Sequence, residues 1–129
     1  MGKLELNKMR KKSALYNTAF ELFTTKGLAK TTISDIVENA GVAKGTFYLY
    51  FKDKYDIRNK LISHKAGELF SQARDALEQA HVTGFTAQLH FLVDNILDRL
   101  ETESDLLGFI SKNLSWGIFK EALTTNVAD

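Results

Sequence analysis

Residues 31–51, TTISDIVENAGVAKGTFYLYF, decide how this chain folds. Ile33, Ile36, Val37 and Ala40 recur at i, i+3, i+4 and i+7, which gathers four apolar side chains on one face of a short helix. Thr32 with Asp35 three residues later is a capping-box-like start, and Gly41 is a stop, because glycine enters the left-handed region without a Cβ clash. The run Thr46-Phe47-Tyr48-Leu49-Tyr50-Phe51 has the propensity of a strand. A lone strand would find no partner between helices, whereas Phe47 and Phe51, at i and i+4, face one way on a helix while Tyr48 points elsewhere. The stretch therefore predicts two short helices flanking an Ala40-Gly41-Val42 turn. This is a helix-turn-helix, and the outer face of its second helix is left to enter a major groove.

The same helical spacing extends outward in both directions. Leu15, Ala19, Leu22 and Phe23 predict a helix over about Lys8 to Lys26, closed by Gly27. Downstream, a helix opening at Asp53, with Asp56 three positions on, carries Ile57, Leu61, Ile62, Ala66, Leu69, Phe70, Ala73 and Leu77. At about 1.5 Å per residue it would run roughly 40 Å. After Thr83 and Gly84, a fifth helix carries Phe85, Leu89, Leu92, Val93, Ile96 and Leu100. Beyond residues 101–104 a further helical region holds Leu106, Leu107, Ile110, Leu114, Ile118 and Leu123, interrupted by Gly108 and Gly117. No proline breaks any of these stretches. The expected fold is all-α: a helix-turn-helix domain over 1–52 and a helical domain over 53–129, joined through the long fourth helix.

Composition narrows the function. The 129 residues are 44% hydrophobic and 26% charged, which excludes a disordered tail or a fibrous repeat. The net charge of +1 conceals two opposite halves. Residues 1–65 hold 13 Lys+Arg against 6 Asp+Glu, and residues 66–129 hold 4 against 10. A basic half suits a polyanion, nucleic acid above all, and the plainer alternative is lysines that merely solvate helix surfaces. With no cysteine there is no thiolate metal site or disulfide, and His64, His81 and His90 fall in no metal-ligand spacing. Carboxylates do not pair by spacing, no Ser-His-Asp arrangement is suggested, and GVAKGT lacks the spacing of a phosphate-binding Walker loop. The expectation is a protein that is not an enzyme and carries no cofactor or metal. No secretory signal opens the chain and no apolar run approaches the roughly 18 residues of a membrane span, so a cytoplasmic location is expected.

The block GVAKGTFYLYFKDKYDI, residues 41–57, resembles the signature of TetR-family transcriptional repressors, and the resemblance extends over about Asn7 to Leu61. It implies a homeodomain-like three-helix domain followed by a TetR-like helical regulatory domain. The function implied is a sequence-specific DNA-binding transcriptional regulator, a repressor released by a small-molecule effector and acting as a homodimer on a palindromic operator. Carried over by position, Lys44, Gly45 and Thr46 face bases. Lys44 offers a cation to guanine edges or phosphate, and Thr46 a hydroxyl and a methyl. Gly45 costs about 1 kcal/mol in a helix relative to alanine, which suggests close backbone approach to DNA. The resemblance assigns Tyr48 and Tyr50 to phosphate and sugar, and Lys54 to gripping a phosphate.

Thr32 offers its hydroxyl and the free amides of its helix to a phosphate, or simply caps that helix. Ala43 stands where the family often has a serine, forgoing a cap worth about 1 kcal/mol and one polar contact. Lys8, Arg10, Lys11 and Lys12 either touch an adjacent groove or are solvated. In the second half, Phe91 and Trp116 are candidates to line an effector cavity, against a plain core role. TetR-like regulators usually continue through further helices that form the dimer interface. On that expectation this sequence is a segment of a longer protein, or it dimerises through fewer elements. A different reading makes the chain a helical protein–protein module with a vestigial DNA surface.

Overall fold

Leu15 and Ala19 are fully buried and Phe23 nearly so, on the stripe that helical spacing marks out in the first helix. The computed structural model describes residues 2–113, and among these it forms six α-helices and no strand. They are α1 (Lys3–Thr25), α2 (Ile33–Ala40), α3 (Lys44–Tyr50), α4 (Lys54–Ala80), α5 (Phe85–Thr102) and α6 (Ser104–Asn113). The expectations that concern Leu114, Trp116, Gly117, Ile118 and Leu123 lie outside the described residues. No helix among the described residues is long and apolar enough to cross a membrane.

Two compact units divide between Leu61 and Ile62, inside α4. In the first, α1 packs on α2 and α2 on α3. Its core combines Leu15, Ala19 and Phe23 with Ile36, Val37, Phe47, Phe51, Ile57 and Leu61. Burial of Phe47 and Phe51 settles the strand-like run as a helix: their rings lie 5.4 Å apart, four residues along the chain. α1 starts five residues before the apolar stripe predicts, at Lys3. The early turns are helical on propensity alone, since Leu4, Leu6 and Met9 are all exposed.

The helix ends follow local chemistry. At the end of α1 the amides of Lys26 and Gly27 both donate to the Leu22 carbonyl, and Gly27 turns the chain at φ 88°. α2 opens on a complete capping box between Thr32 and Asp35 and closes at Gly41, φ 69°, with the Val42 amide donating to the Val37 carbonyl at 3.0 Å. At the entry to α4, Asp53 Oδ1 accepts the Asp56 amide at 2.8 Å. Asp56 Oδ2 reaches back to the Lys52 amide at 2.9 Å, one residue beyond the reciprocal bond of a capping box.

In the second unit Ile62, Leu69, Ala73, Leu106 and Phe109 are buried, and α5 packs on α6. Arg99 of α5 donates to Asn95 at 2.7 Å and to Gln72 of α4 at 2.9 Å. α5 buries none of its own residues. Phe85, Leu89, Val93 and Leu97 form an exposed apolar row, four residues apart. Helical spacing marks such a face without supplying what covers it.

Candidate nucleic-acid interface

The outward face of α3 is built by four residues. Phe47 points inward and is fully buried, and successive side chains advance by about 100° around a helix. Gly45 and Leu49 therefore lie nearly opposite Phe47, Tyr48 and Lys44 flank them at roughly 100° and roughly 60° from Phe47, and all four are exposed. Tyr48 is steadied by an edge-to-face contact with the Phe47 ring at 5.4 Å, while half of its surface stays in solvent. Thr46 is half-buried at the border of this face. Lys44 leans toward α2, its Nζ 3.5 Å from Ser34 Oγ, a long contact that leaves the ammonium accessible.

Among the described residues Gly45 has no packing reason to be glycine. Its φ is not positive, and a Cβ built there would meet nothing within 4 Å. Nothing in the packing of the described residues asks for the missing side chain, although glycine weakens a seven-residue helix. Ala43 is the N-cap of α3 and makes no side-chain bond, so α3 begins uncapped by any side chain. Its other end is tied down, since Lys60 Nζ donates to the Tyr50 carbonyl at 3.2 Å.

The remaining expected contacts fall elsewhere on the unit. Tyr50 is half-buried on the α1 side of the helix, and Lys12 Nζ sits 5.7 Å from the centre of its ring and 6.0 Å from that of Tyr16. Burial pushes the Tyr16 phenol up from its ordinary value, and the Asp56 carboxylate adds to the shift, so Tyr16 stays neutral beside that lysine. Thr32 is exposed, with its oxygen engaged in the capping box. Asp35 is held below the usual carboxylate range, first by the Thr32 amide, then by Lys26 and the Thr32 hydroxyl. Lys54 turns its ammonium into the α1–α2 loop, donating to the carbonyls of Leu28 at 2.8 Å, Thr31 at 3.0 Å and Ala29 at 3.4 Å. Phe91 is half-buried on α5 in the second unit, and Trp116 lies outside the described residues.

Sequence reasoning passed over Leu49, the most exposed large apolar side chain of this helix pair at 76%. Its signal was available: an apolar residue on the wrong side of the Phe47–Phe51 stripe. It also gave Lys12 no ring partners, because the closeness of α1 to Tyr50 is a tertiary fact.

Two short helices joined through a left-handed glycine, the second with an outward basic and aromatic face, define a helix-turn-helix domain. Residues 15–61 match the family described as bacterial regulatory proteins, tetR family. The uncharacterized HTH-type transcriptional regulator YvdT of Bacillus subtilis (strain 168) is 36% identical over 96 residues, covering 72% of this chain and 47% of that protein. A fatty acid metabolism regulator protein of the same organism is 34% identical over 65 residues, covering 50% of this chain and 34% of that protein. Among solved structures, FadR from Bacillus subtilis in complex with stearoyl-CoA has the same fold, with a TM-score of 0.67 at 21% identity over 91% of this chain and 63% of that one. Residues 15–61 are thus an N-terminal domain of the tetR family. The chain spans about half or less of the length of these two sequence relatives, both of which are named as regulators.

Proposed function

We propose that this chain is the DNA-reading part of a transcriptional regulator, with α3 as the recognition helix in a major groove. The observation that carries the reading is Gly45, a glycine that no contact among the described residues requires, at the centre of an exposed face with Lys44, Tyr48 and Leu49. A backbone that must approach bases closely supplies the missing reason. On this reading Lys44, Gly45 and Thr46 meet base edges, Leu49 offers an apolar surface to thymine methyls, and Tyr48 and Tyr50 meet phosphate and sugar. Ala43 lets the start of the helix approach without a polar contact of its own, and Thr32 serves mainly as a cap. The regulator works as a homodimer on an inverted repeat, in the compartment that holds the DNA. An effector bound by the helical second unit, with Phe91 and Trp116 among the candidates to meet it, releases the operator by binding the DNA-free arrangement more tightly. A long-chain acyl thioester, the ligand in the Bacillus subtilis FadR complex, is the first effector class to assay.

Selection of bound sequences from a random duplex pool at fixed salt tests the reading. An enriched inverted repeat, lost with Lys44→Ala, is the expected outcome. Uniform weak binding with no enriched sequence favours the protein–protein module instead.

A further inference from the structure

Lys54 occupies a carbonyl nest that the loop between α1 and α2 builds for it. Gly27 turns the chain at positive φ, the Thr31 amide donates to the Leu28 carbonyl at 3.2 Å, and the fully buried Thr31 donates its hydroxyl to the Gly27 carbonyl at 2.7 Å. This closed turn aims the carbonyls of Leu28, Ala29 and Thr31 at one point, where the Lys54 ammonium sits. An ammonium has three protons and no acceptor, and here three carbonyls meet them. A phosphate oxygen would have to displace one of those carbonyls.

We infer that Lys54 is a positioning residue: it staples the first residue of α4 to the backbone immediately before the Thr32 cap, and so sets the placement of α2, and through the Gly41 turn that of α3, for sequence reading. The inference rests on the DNA-reading function proposed above and assigns Lys54 a different role in it from the phosphate grip that the family resemblance implies. Thr31 is the last residue before the α2 N-cap, so the staple fixes the helix-turn-helix where the chain enters it. Tyr55 adds a lateral contact, its ring centre 5.6 Å from the ammonium.

Lysine and arginine separate the two roles. Arginine binds phosphate at least as well, but a planar guanidinium cannot aim three donors from one nitrogen into converging carbonyls. The full chain with Lys54→Met or Lys54→Arg is titrated by fluorescence anisotropy against the selected duplex and a scrambled one, across a salt series. With a staple, both variants lower the preference for the selected duplex by about tenfold, the scale of one misread base pair, and the log–log salt slope stays at the parent value. Amide exchange at Thr31 and over Ile33–Ile36 quickens in the free protein. A slope flattened by about 1 in Lys54→Met and restored in Lys54→Arg makes Lys54 a phosphate contact and overturns the inference. An unchanged preference, or unchanged exchange, overturns it as well. If Lys54→Met does not fold, Lys54→Arg carries the comparison. If the parent chain selects no duplex, the DNA-reading function fails and the positioning role with it, and the exchange measurement then reports on the staple alone.

Discussion

Thr32 and Asp35 hold one another at the start of α2: the Asp35 amide donates to Thr32 Oγ1 at 3.0 Å, and the Thr32 amide donates to Asp35 Oδ2 at 3.0 Å. Lys26 closes the group with an ammonium 3.0 Å from the same carboxylate oxygen. Thr32→Ala should lower the free energy of unfolding by about 1 kcal/mol in urea titration, the usual worth of such a cap. The carboxyl of Asp35 is depressed by these bonds, so the unfolded chain takes up its proton first as pH falls. Its stabilisation is therefore complete above the usual carboxylate range and is lost as pH drops through the lowered folded value. The difference in urea midpoint between the parent and Asp35→Asn should hold steady at neutral pH and shrink below about pH 4. A difference that persists unchanged into acid would show that the carboxylate contributes nothing as a charge.

Gly45→Ala separates stability from function. The added Cβ meets nothing among the described residues, so the helix should gain up to about 1 kcal/mol, read as a higher urea midpoint. With α3 in the groove as proposed, affinity for the selected duplex should fall in the same variant, because the Cβ would intrude between backbone and bases. A stabilised variant that binds DNA as before would place α3 outside the groove.

Leu49 is 76% exposed and costs the fold little to remove. Leu49→Ala should leave stability within about 0.5 kcal/mol of the parent, as surface substitutions do. Discrimination at a thymine position of the operator should weaken, measured by competition among single-base variants of the duplex. Equal discrimination in parent and variant would remove Leu49 from the reading face.

Lys12, held beside the Tyr16 and Tyr50 rings, lies where α1 meets the end of α3. If its charge neutralises a phosphate there, Lys12→Met should weaken binding to all duplexes alike and flatten the log–log salt slope by about 1. The same slope in parent and variant would leave Lys12 as a ring contact only.

Periodicity and end signals carried much of the fold. The Ile33–Ile36–Val37 spacing, the Thr32–Asp35 pair and Gly41 are local features, and each reappears as a helix face, a cap and a left-handed turn at the expected positions. Local patterns were weaker where no burial enforces them. The start of α1 is helical without a buried face, and α5 has an apolar stripe that is at most half-buried among the described residues.

The sequence by itself determined the helical architecture, the helix-turn-helix and the type of residue on the outer face of α3, because capping and apolar spacing act over three or four residues. Only the tertiary structure decided what individual side chains do once distant segments meet. Lys54 reads in sequence as a cation at a helix start. Its role depends on carbonyls more than twenty residues earlier, which the turn at Gly27 and the buried Thr31 hydroxyl bring to a point. Gly45 reads as a helix-weakening glycine, and only a packed structure can reveal that no neighbour needs the space. Side-chain roles of this kind depend on contacts between residues far apart in the chain, and a one-dimensional pattern carries no coordinates for them.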